Sequence, residues 1–359
     1  MSDITEIIIK SKVRENYKVF FIEDVKKTLS LLNTEKKIIY LIDQNIFNLF
    51  KKELNEIILN RCIIIETSED NKKLEYIQII INKLLELNVK RDDTLVAIGG
   101  GITQDLVTFI SSILYRGIEW IFFPTTLLAQ CDSCIGSKSS INFNNYKNLL
   151  GTFNPPSNIY IWNKFLLTLS ESEIRSGIGE MLHYFLFNGF EIADELIIEL
   201  PSLLKNPLKI KNFVIKSLNI KKSIIEIDEF DIGIRHLFNY GHTFGHALES
   251  ITDYNIPHGQ AITLGMDLAN FISFKRKILS EQDYLKMHNL LKYNIPEFKF
   301  TQANIDLYLN ILSKDKKNIG NKLGCILSKG PGKLEKIYIN IDEELKENIL
   351  EFSLKNFNK

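Results

Sequence analysis

Three things are scarce in this chain, and each absence narrows what it can be. Net charge is missing: Lys+Arg and Asp+Glu both total 44, so no overall field draws the protein to nucleic acid or to an anionic membrane. Long apolar runs are missing too. No uninterrupted stretch approaches the roughly 20 residues that cross a bilayer, and Met1-Ser-Asp-Ile-Thr-Glu6 lacks the basic start and apolar core of a secretory signal. A cytoplasmic protein with no nucleic-acid or membrane partner is expected. Cysteine is sparse: Cys62, Cys131, Cys134 and Cys325 supply one CxxC and no second to complete a four-thiolate zinc site. Cys131 and Cys134 read as small buried residues, with a structural or redox pair as the alternative. No internal repeat or long low-complexity linker stands out.

Histidine is also rare, which makes its placement informative. Four of six histidines fall within 24 positions, in Arg235-His-Leu-Phe-Asn-Tyr-Gly-His242-Thr-Phe-Gly-His246 and then His258. His242 and His246 share a face if the segment is helical, and a later loop can bring His258 alongside. Neutral imidazoles suit zinc and similar ions, and an acidic side chain from elsewhere would complete a three-ligand site with one open position. A single HxxxH fits equally a helix with half-buried histidines; the third histidine and the small residues beside the pair favour a metal.

The rest of the chain, 359 residues at 45% hydrophobic and 25% charged, is long enough for two domains of ordinary globular composition. Lys37–Asp43, Arg61–Glu66 and Thr94–Gly99 are short apolar runs, the last two separated by a periodic charged segment over 71–87. Strand, helix, strand is the simplest parse, and such alternation builds a parallel, Rossmann-like sheet whose ligands bind beyond the carboxyl ends of the strands. From about Ser170 the pattern becomes long amphipathic segments, 173–187, 204–227 and 260–274. The expected organisation is an α/β domain over 1–169 and a mostly α-helical domain over 170–359, with a short strand pair near 323–328 and 335–339.

Gly99-Gly-Gly101-Ile-Thr-Gln-Asp105 follows an apolar strand and opens a helical segment. Glycines there let a ligand approach the backbone, and helix-terminal amides hold a pyrophosphate, although a tight turn with no ligand fits the triplet as well. Phe123-Pro-Thr-Thr126-Leu-Leu-Ala-Gln-Cys-Asp132 ends another strand with hydroxyls and a carboxylate. Lys138, Lys147 and Asn148 follow as phosphate-binding types.

Taken together, Gly99–Leu106, Tyr115-Arg116-Gly117, Pro124–Gln130, Asp132-Ser133, Lys147–Gly151 and Gly241–Glu249 resemble the 3-dehydroquinate synthase family of the sugar phosphate cyclases, over about Asp43 to Lys317. The resemblance implies an NAD-binding α/β domain, a helical metal domain and an active site in the cleft between them. It implies a metal, zinc or cobalt, on Glu180, His242 and His258, with His246 near the substrate instead of on the metal as the four-residue spacing suggests. NAD is implied at Asp43, Glu69, Lys72, Gly100, Gly101, Asp105, Thr125, Thr126, Lys147 and Thr168. Substrate phosphate would meet Lys138, Asn148, His246 and a lysine of the Lys316-Lys317 pair, helped by Arg116 from the second subunit of a homodimer. Lys221 and Arg235 fall on carboxylate-binding positions, Asp132 and Asn239 on positions that meet hydroxyls or phosphate. The reaction implied is the conversion of 3-deoxy-arabino-heptulosonate 7-phosphate to 3-dehydroquinate. It runs through NAD-dependent oxidation, phosphate loss, re-reduction and aldol closure, so NAD is regenerated each turnover.

Some positions depart from the family pattern. His183 stands where a lysine that contacts substrate hydroxyls is usual, Gly136-Ser-Lys138-Ser-Ser140 replaces Gly-Gly-Lys-Thr-Gly, Gln104 replaces glycine and Gln260 replaces glutamate. His183 keeps open a cyclase that takes another substrate, such as sedoheptulose 7-phosphate. A metal-dependent polyol dehydrogenase is the further alternative, and the retained phosphate set argues against it. A non-enzyme would need a broken metal triad.

Overall fold

The computed structural model describes residues 6–58, 61–144, 146–315 and 318–357. The first part of the chain runs β1 (Glu6–Ile9), β2 (Tyr17–Phe21), α1 (Val25–Glu35), β3 (Ile38–Asp43), α2 (Gln44–Leu49), α3 (Lys51–Ile58), β4 (Cys62–Ile65), α4 (Leu74–Glu86), β5 (Thr94–Gly99), α5 (Gly101–Ile113), β6 (Glu119–Pro124), β7 (Ile141–Phe143), β8 (Tyr146–Leu150) and β9 (Asn158–Ile161). Then follow α6 (Glu171–Asn188), α7 (Glu191–Lys205), α8 (Lys211–Ile225), α9 (His242–Ile251), α10 (His258–Lys275), α11 (Glu281–Leu291), α12 (Gln302–Ser313), β10 (Lys322–Ser328), β11 (Leu334–Asn340) and α13 (Glu343–Phe357).

Two compact units result, one of Met1–Leu169 with Asn206–Phe230, the other of Ser170–Lys205 with Asp231–Lys359. The first holds a seven-stranded sheet ordered β1-β2-β9-β6-β5-β3-β4, parallel except for the β1–β2 pair. Every residue of β3 and β5 is buried, which is why these strands read as unbroken apolar runs: helices cover both faces, so neither can alternate. Each fully covered Ile or Val contributes roughly 1.5–3 kcal/mol of transfer free energy. From β3 the chain moves outward to β4, and from β5 it moves the other way to β6. The carboxyl ends of β3 and β5 therefore flank the topological switch point, where open parallel sheets bind ligands.

The sequence pattern places 204–227 in one helical segment of the second domain, and the structure departs from that. The helix breaks at Asn206, whose side chain caps a short 3-10 turn begun by Pro207, and α8 belongs to the first unit. Its Ser217 hydroxyl donates to the Cys131 carbonyl at 2.8 Å, and Lys221 Nζ reaches Asp132. Amphipathic periodicity announces a helix but says nothing about which core it covers.

The second unit begins at a capping box. Ser170 Oγ accepts from the Glu173 amide and the Glu173 carboxylate accepts from the Ser170 amide, which starts α6 where the apolar period begins. Helix α10 is its axis, buried along almost its whole length and packed on α6, α9, α11 and α13. The expected strand pair is present as antiparallel β10–β11.

Candidate functional site

In the second unit, the absence of side chains brings the chemistry together. A Cβ added to Gly179 would stand 1.9 Å from the Gly259 carbonyl oxygen, and one on Gly259 would stand 1.7 Å from the Ser176 oxygen. Helices α6 and α10 thus meet backbone to backbone, one residue from Glu180 on α6 and one from His258, the first residue of α10. Gly241, at φ +79°, makes the left-handed step that sets His242 at the start of α9.

The result is a tight group of donors. Glu180 Oε1 lies 3.1 Å from His258 Nε2 and 3.6 Å from His242 Nε2. The ligand atoms of His242, His246 and His258 lie within 4.8 Å of one another. His242 Nδ1 is 3.2 Å from the Tyr240 carbonyl oxygen, and His258 Nδ1 is 3.1 Å from Glu249 Oε1. Both partners accept, so each Nδ1 carries a proton and each Nε2 faces the cluster, free to serve as the ligand atom. Glu180 Oε1 is buried and, despite its short distance to His258, makes no aligned hydrogen bond. Two imidazoles with a carboxylate, gathered at this spacing, are a zinc-type set. The residues fit a divalent metal. With no cation, burial disfavours the imidazolium of His258, but the Glu180 and Glu249 carboxylates outweigh it and hold this histidine well above its ordinary value.

His183, one turn beyond Glu180, is fully buried. Its Nδ1 is 4.0 Å from Glu180 Oε2, and its ring packs against Tyr184, Phe238 and, at 5.2 Å, His242. Arg235 is buried in the 3-10 turn Ile234–Asn239, where Asn239 Nδ2 donates to the His236 carbonyl.

In the first unit, Gly100 caps α5 and no side chain does so. A Cβ on Gly101 would meet nothing within 4 Å, whereas one on Gly100 would touch the Thr126 methyl at 3.0 Å. Open space before uncapped helix amides fits the phosphates of a dinucleotide. Thr125 is buried and its amide donates to the Gly99 carbonyl, while Thr126 Oγ1 accepts from the Ala129 amide. Asp43, at the end of β3, caps α2 through the Asn45 and Ile46 amides and accepts from Thr67 Oγ1.

A second polar group surrounds Asp105. Lys72 Nζ lies 2.5 Å from Asp105 Oδ2 and donates to Asn148 Oδ1 at 2.8 Å. The Ser140 amide donates to Asp105 Oδ1. Burial pushes the Asp105 carboxyl up, with Lys72 and Ser140 pulling the other way. Asn148 sits at φ +53° on β8, its amide donating to Asn142, and Asn142 also pairs with Glu69, which Lys147 approaches to 3.5 Å. The hydrogen bond to Asn142 and the charges of Lys72 and Lys147 outweigh burial and hold Glu69 below its ordinary range. Elsewhere in this unit, Lys221 Nζ donates to both the carbonyl and the carboxylate of Asp132, each at 2.8 Å. Lys138 is exposed, Thr168 closes a 3-10 turn on the Phe165 carbonyl, and Arg116 is exposed between Tyr115 and Gly117, all three with positive φ. Lys316 and Lys317 lie outside the described residues. Cys131 and Cys134 are buried and reduced, the Cys134 thiol pushed up to about 12 by burial.

Sequence reasoning missed Glu249 and Ser140. Glu249 was findable, since it falls seven residues after His242 on the same helical face. Ser140 carried no signal beyond its place in a serine-rich loop.

Residues 62–176 match the family model for the 3-dehydroquinate synthase N-terminal region, and residues 177–318 match that for its C-terminal region. The chain is 34% identical over 351 residues to a 3-dehydroquinate synthase of Clostridium tetani, covering 95% of this chain and 91% of that one. A 3-dehydroquinate synthase of Helicobacter pylori is 35% identical, covering 92% and 94%. Among solved structures, a 2-deoxy-scyllo-inosose synthase complexed with carbaglucose-6-phosphate, NAD+ and Co2+ superposes with a TM-score of 0.82 at 23% identity, covering 97% of this chain and all of the other.

Proposed function

Because the chain belongs to the 3-dehydroquinate synthase family, we propose that it catalyses that carbon–oxygen lyase reaction, turning 3-deoxy-arabino-heptulosonate 7-phosphate into 3-dehydroquinate and phosphate. The observation that carries the reading is the convergence of Glu180 Oε1 with the Nε2 atoms of His242 and His258, at 3.6 and 3.1 Å. When bound, a zinc or cobalt ion supplies Lewis acidity for substrate oxygens, and NAD supplies a hydride acceptor that is restored within the cycle.

The chain's own residues bind and orient. Glu180, His242 and His258 hold the metal, with Glu249 and the Tyr240 carbonyl keeping each Nδ1 protonated. Gly100 and Gly101 let a pyrophosphate reach the first amides of α5. Asp43, Glu69, Lys72, Asp105, Thr125, Thr126, Lys147 and Thr168 hold the rest of the dinucleotide. Lys72 takes the carbonyl oxygen of Asn148, which fixes that amide and leaves its NH2 for the substrate phosphate, a role that likeness to the family gives also to Lys138, His246 and a lysine of the Lys316-Lys317 pair. The buried fork of Arg235 and the ammonium of Lys221 suit the substrate carboxylate. Asp132, fixed by Lys221, and Asn239 face hydroxyls. Gripping phosphate and carboxylate together orders a flexible acid for successive steps, and the departing phosphate takes up the acidified proton with its own oxygen. Arg116, on its exposed left-handed turn, serves the phosphate of a second copy, so the working unit is a homodimer. No helix among the described residues is long and apolar enough to cross a membrane, which fits a cytoplasmic enzyme.

The burial of His183 favours one second reading. An imidazole packed among aromatic rings leaves the hydroxyl-binding set without a long ammonium, as a cyclase of sedoheptulose 7-phosphate would allow. Phosphate release by the purified protein with NAD and zinc, measured on each substrate with the product identified by mass, separates the two. Dehydroquinate from the acid alone, without net NADH, supports the synthase; release from the sedoheptulose compound alone replaces it with the second reading.

A further inference from the structure

Helix α10 carries a polar side chain whose position has no packing rationale. Asn270 is fully buried, and its side-chain Nδ2 has no hydrogen-bond partner among the described residues. A buried donor left unpaired is costly, and an aliphatic residue would fill the same space without that cost. Among the described residues, the Asn270 side chain has one hydrogen-bond partner, the Tyr240 hydroxyl, which donates to Oδ1 at 2.6 Å. Tyr240 is itself fully buried, and a phenylalanine there would need no partner.

The same turn is held to α10 at a second point. A Cβ on Gly265 would fall 2.1 Å from the Gly241 carbonyl oxygen, so only glycine lets the Tyr240–His242 turn rest directly on the helix. Two residues before His242, Tyr240 offers its carbonyl to His242 Nδ1 at 3.2 Å. Helix α10 therefore bears on both histidines of the proposed metal set. It presents His258 as its own first residue, and it fixes the turn before His242 through Gly265 and through the Asn270–Tyr240 hydrogen bond.

We infer that Tyr240 and Asn270 are positioning residues for the metal centre: the buried hydroxyl–amide pair locks the carbonyl that orients His242, coupling that ligand rigidly to the helix bearing His258. The inference rests on the assignment of His242 and His258 as metal ligands in the proposed function. A polar partner behind a metal-bound imidazole fixes ring orientation, and removing such partners typically weakens metal binding by about 10–100-fold. Here the partner is a main-chain carbonyl, so what a mutation can reach is the group that holds that carbonyl still.

The test uses the full chain freed of metal with a chelator and titrated with Zn2+ against a chromophoric competitor. It is repeated with Co2+, whose visible spectrum reports ligand geometry. Tyr240→Phe should bind zinc about tenfold more weakly and shift the cobalt bands, with the metal-free melting temperature changed little. Asn270→Leu should reproduce that loss. Asn270→Asp, which keeps an acceptor for the hydroxyl, should restore wild-type affinity. Wild-type zinc affinity and an unchanged cobalt spectrum in Tyr240→Phe and Asn270→Leu overturn the inference, as does a loss confined to melting temperature. Failure of the unmutated protein to bind one equivalent of zinc overturns instead the metal assignment on which the inference stands.

Discussion

Replacing Gly259 with alanine tests whether the metal donors depend on bare backbone contact. The new Cβ would lie 1.7 Å from the Ser176 carbonyl oxygen and 2.6 Å from its carbon, where an ordinary carbon contact is about 3.5–4 Å. The obstacle is main chain in the middle of α6, so no rotamer relieves it; the two helices must part by roughly 1.5–2 Å. Neither can slide freely, because α6 from Ile174 to Leu186 and α10 from Ala261 to Ser273 are buried almost without interruption. Overpacking a well-filled interior costs about 1–3 kcal/mol, and a clash between two helix backbones belongs at the upper end. Glu180 and His258 flank the contact, so their 3.1 Å separation opens by a similar amount. A metal site tolerates only about 0.2 Å in its ligand distances, and zinc affinity should fall by at least about 100-fold. Urea denaturation of the metal-free protein gives the stability cost, and chelator competition gives the zinc affinity. A Gly259→Ala protein with an unchanged urea midpoint and undiminished zinc affinity would falsify the argument that this glycine pair builds the site.

Gly101→Ala should behave in the opposite way, since its Cβ meets nothing within 4 Å: the melting temperature holds or rises with the better helix former, while NAD affinity measured by calorimetry falls as the methyl enters the phosphate space. Zinc binding should tighten as pH rises from about 6.5. Glu180 and Glu249 raise the metal-free His258 above its ordinary value against the effect of burial, so below that raised value the metal must displace a proton, costing about tenfold in affinity per pH unit. Competition titrations at three pH values check this, and a flat profile excludes His258 as a ligand. His288 gives a separate pH effect on folding. Burial lowers its pKa, but the Asp267 carboxylate 2.8 Å away outweighs burial and raises it. Its stabilisation is therefore complete below the unfolded value of about 6.5 and is lost as pH climbs through the higher folded value. Urea midpoints of the metal-free protein should fall across that window, and His288→Gln should remove that component of the fall.

Much of the fold is legible in the order of residues alone. The apolar runs of β3 and β5 are buried on both faces, and a strand covered twice must be apolar throughout, so the run itself is the signal. The histidine cluster is legible because few histidines occur and most of them fall close together. Helix α8 shows the limit. Its periodicity is plain, yet it covers the α/β unit through Ser217 and Lys221, a choice made by complementarity with the Ala129–Ser133 turn. Glu180 looks like any helix glutamate, and only likeness to a family points to it from sequence.

The sequence by itself determined that the first part alternates strand and helix and the later part is mostly helical, which residue types are available for metal, phosphate and carboxylate, and the family to which the chain belongs. These follow from local period, from side-chain chemistry and from spacing within short segments. Tertiary structure alone decided which of those groups meet. Glu180 and His258 are 78 positions apart, and they become neighbours because two glycines let α6 and α10 touch. It also decided which nitrogen of His258 faces the cluster, since the Glu249 carboxylate reaches that ring only once α9 and α10 are packed. Contacts between distant segments depend on shape and on excluded volume, and neither is written in the order of residues along one stretch of chain.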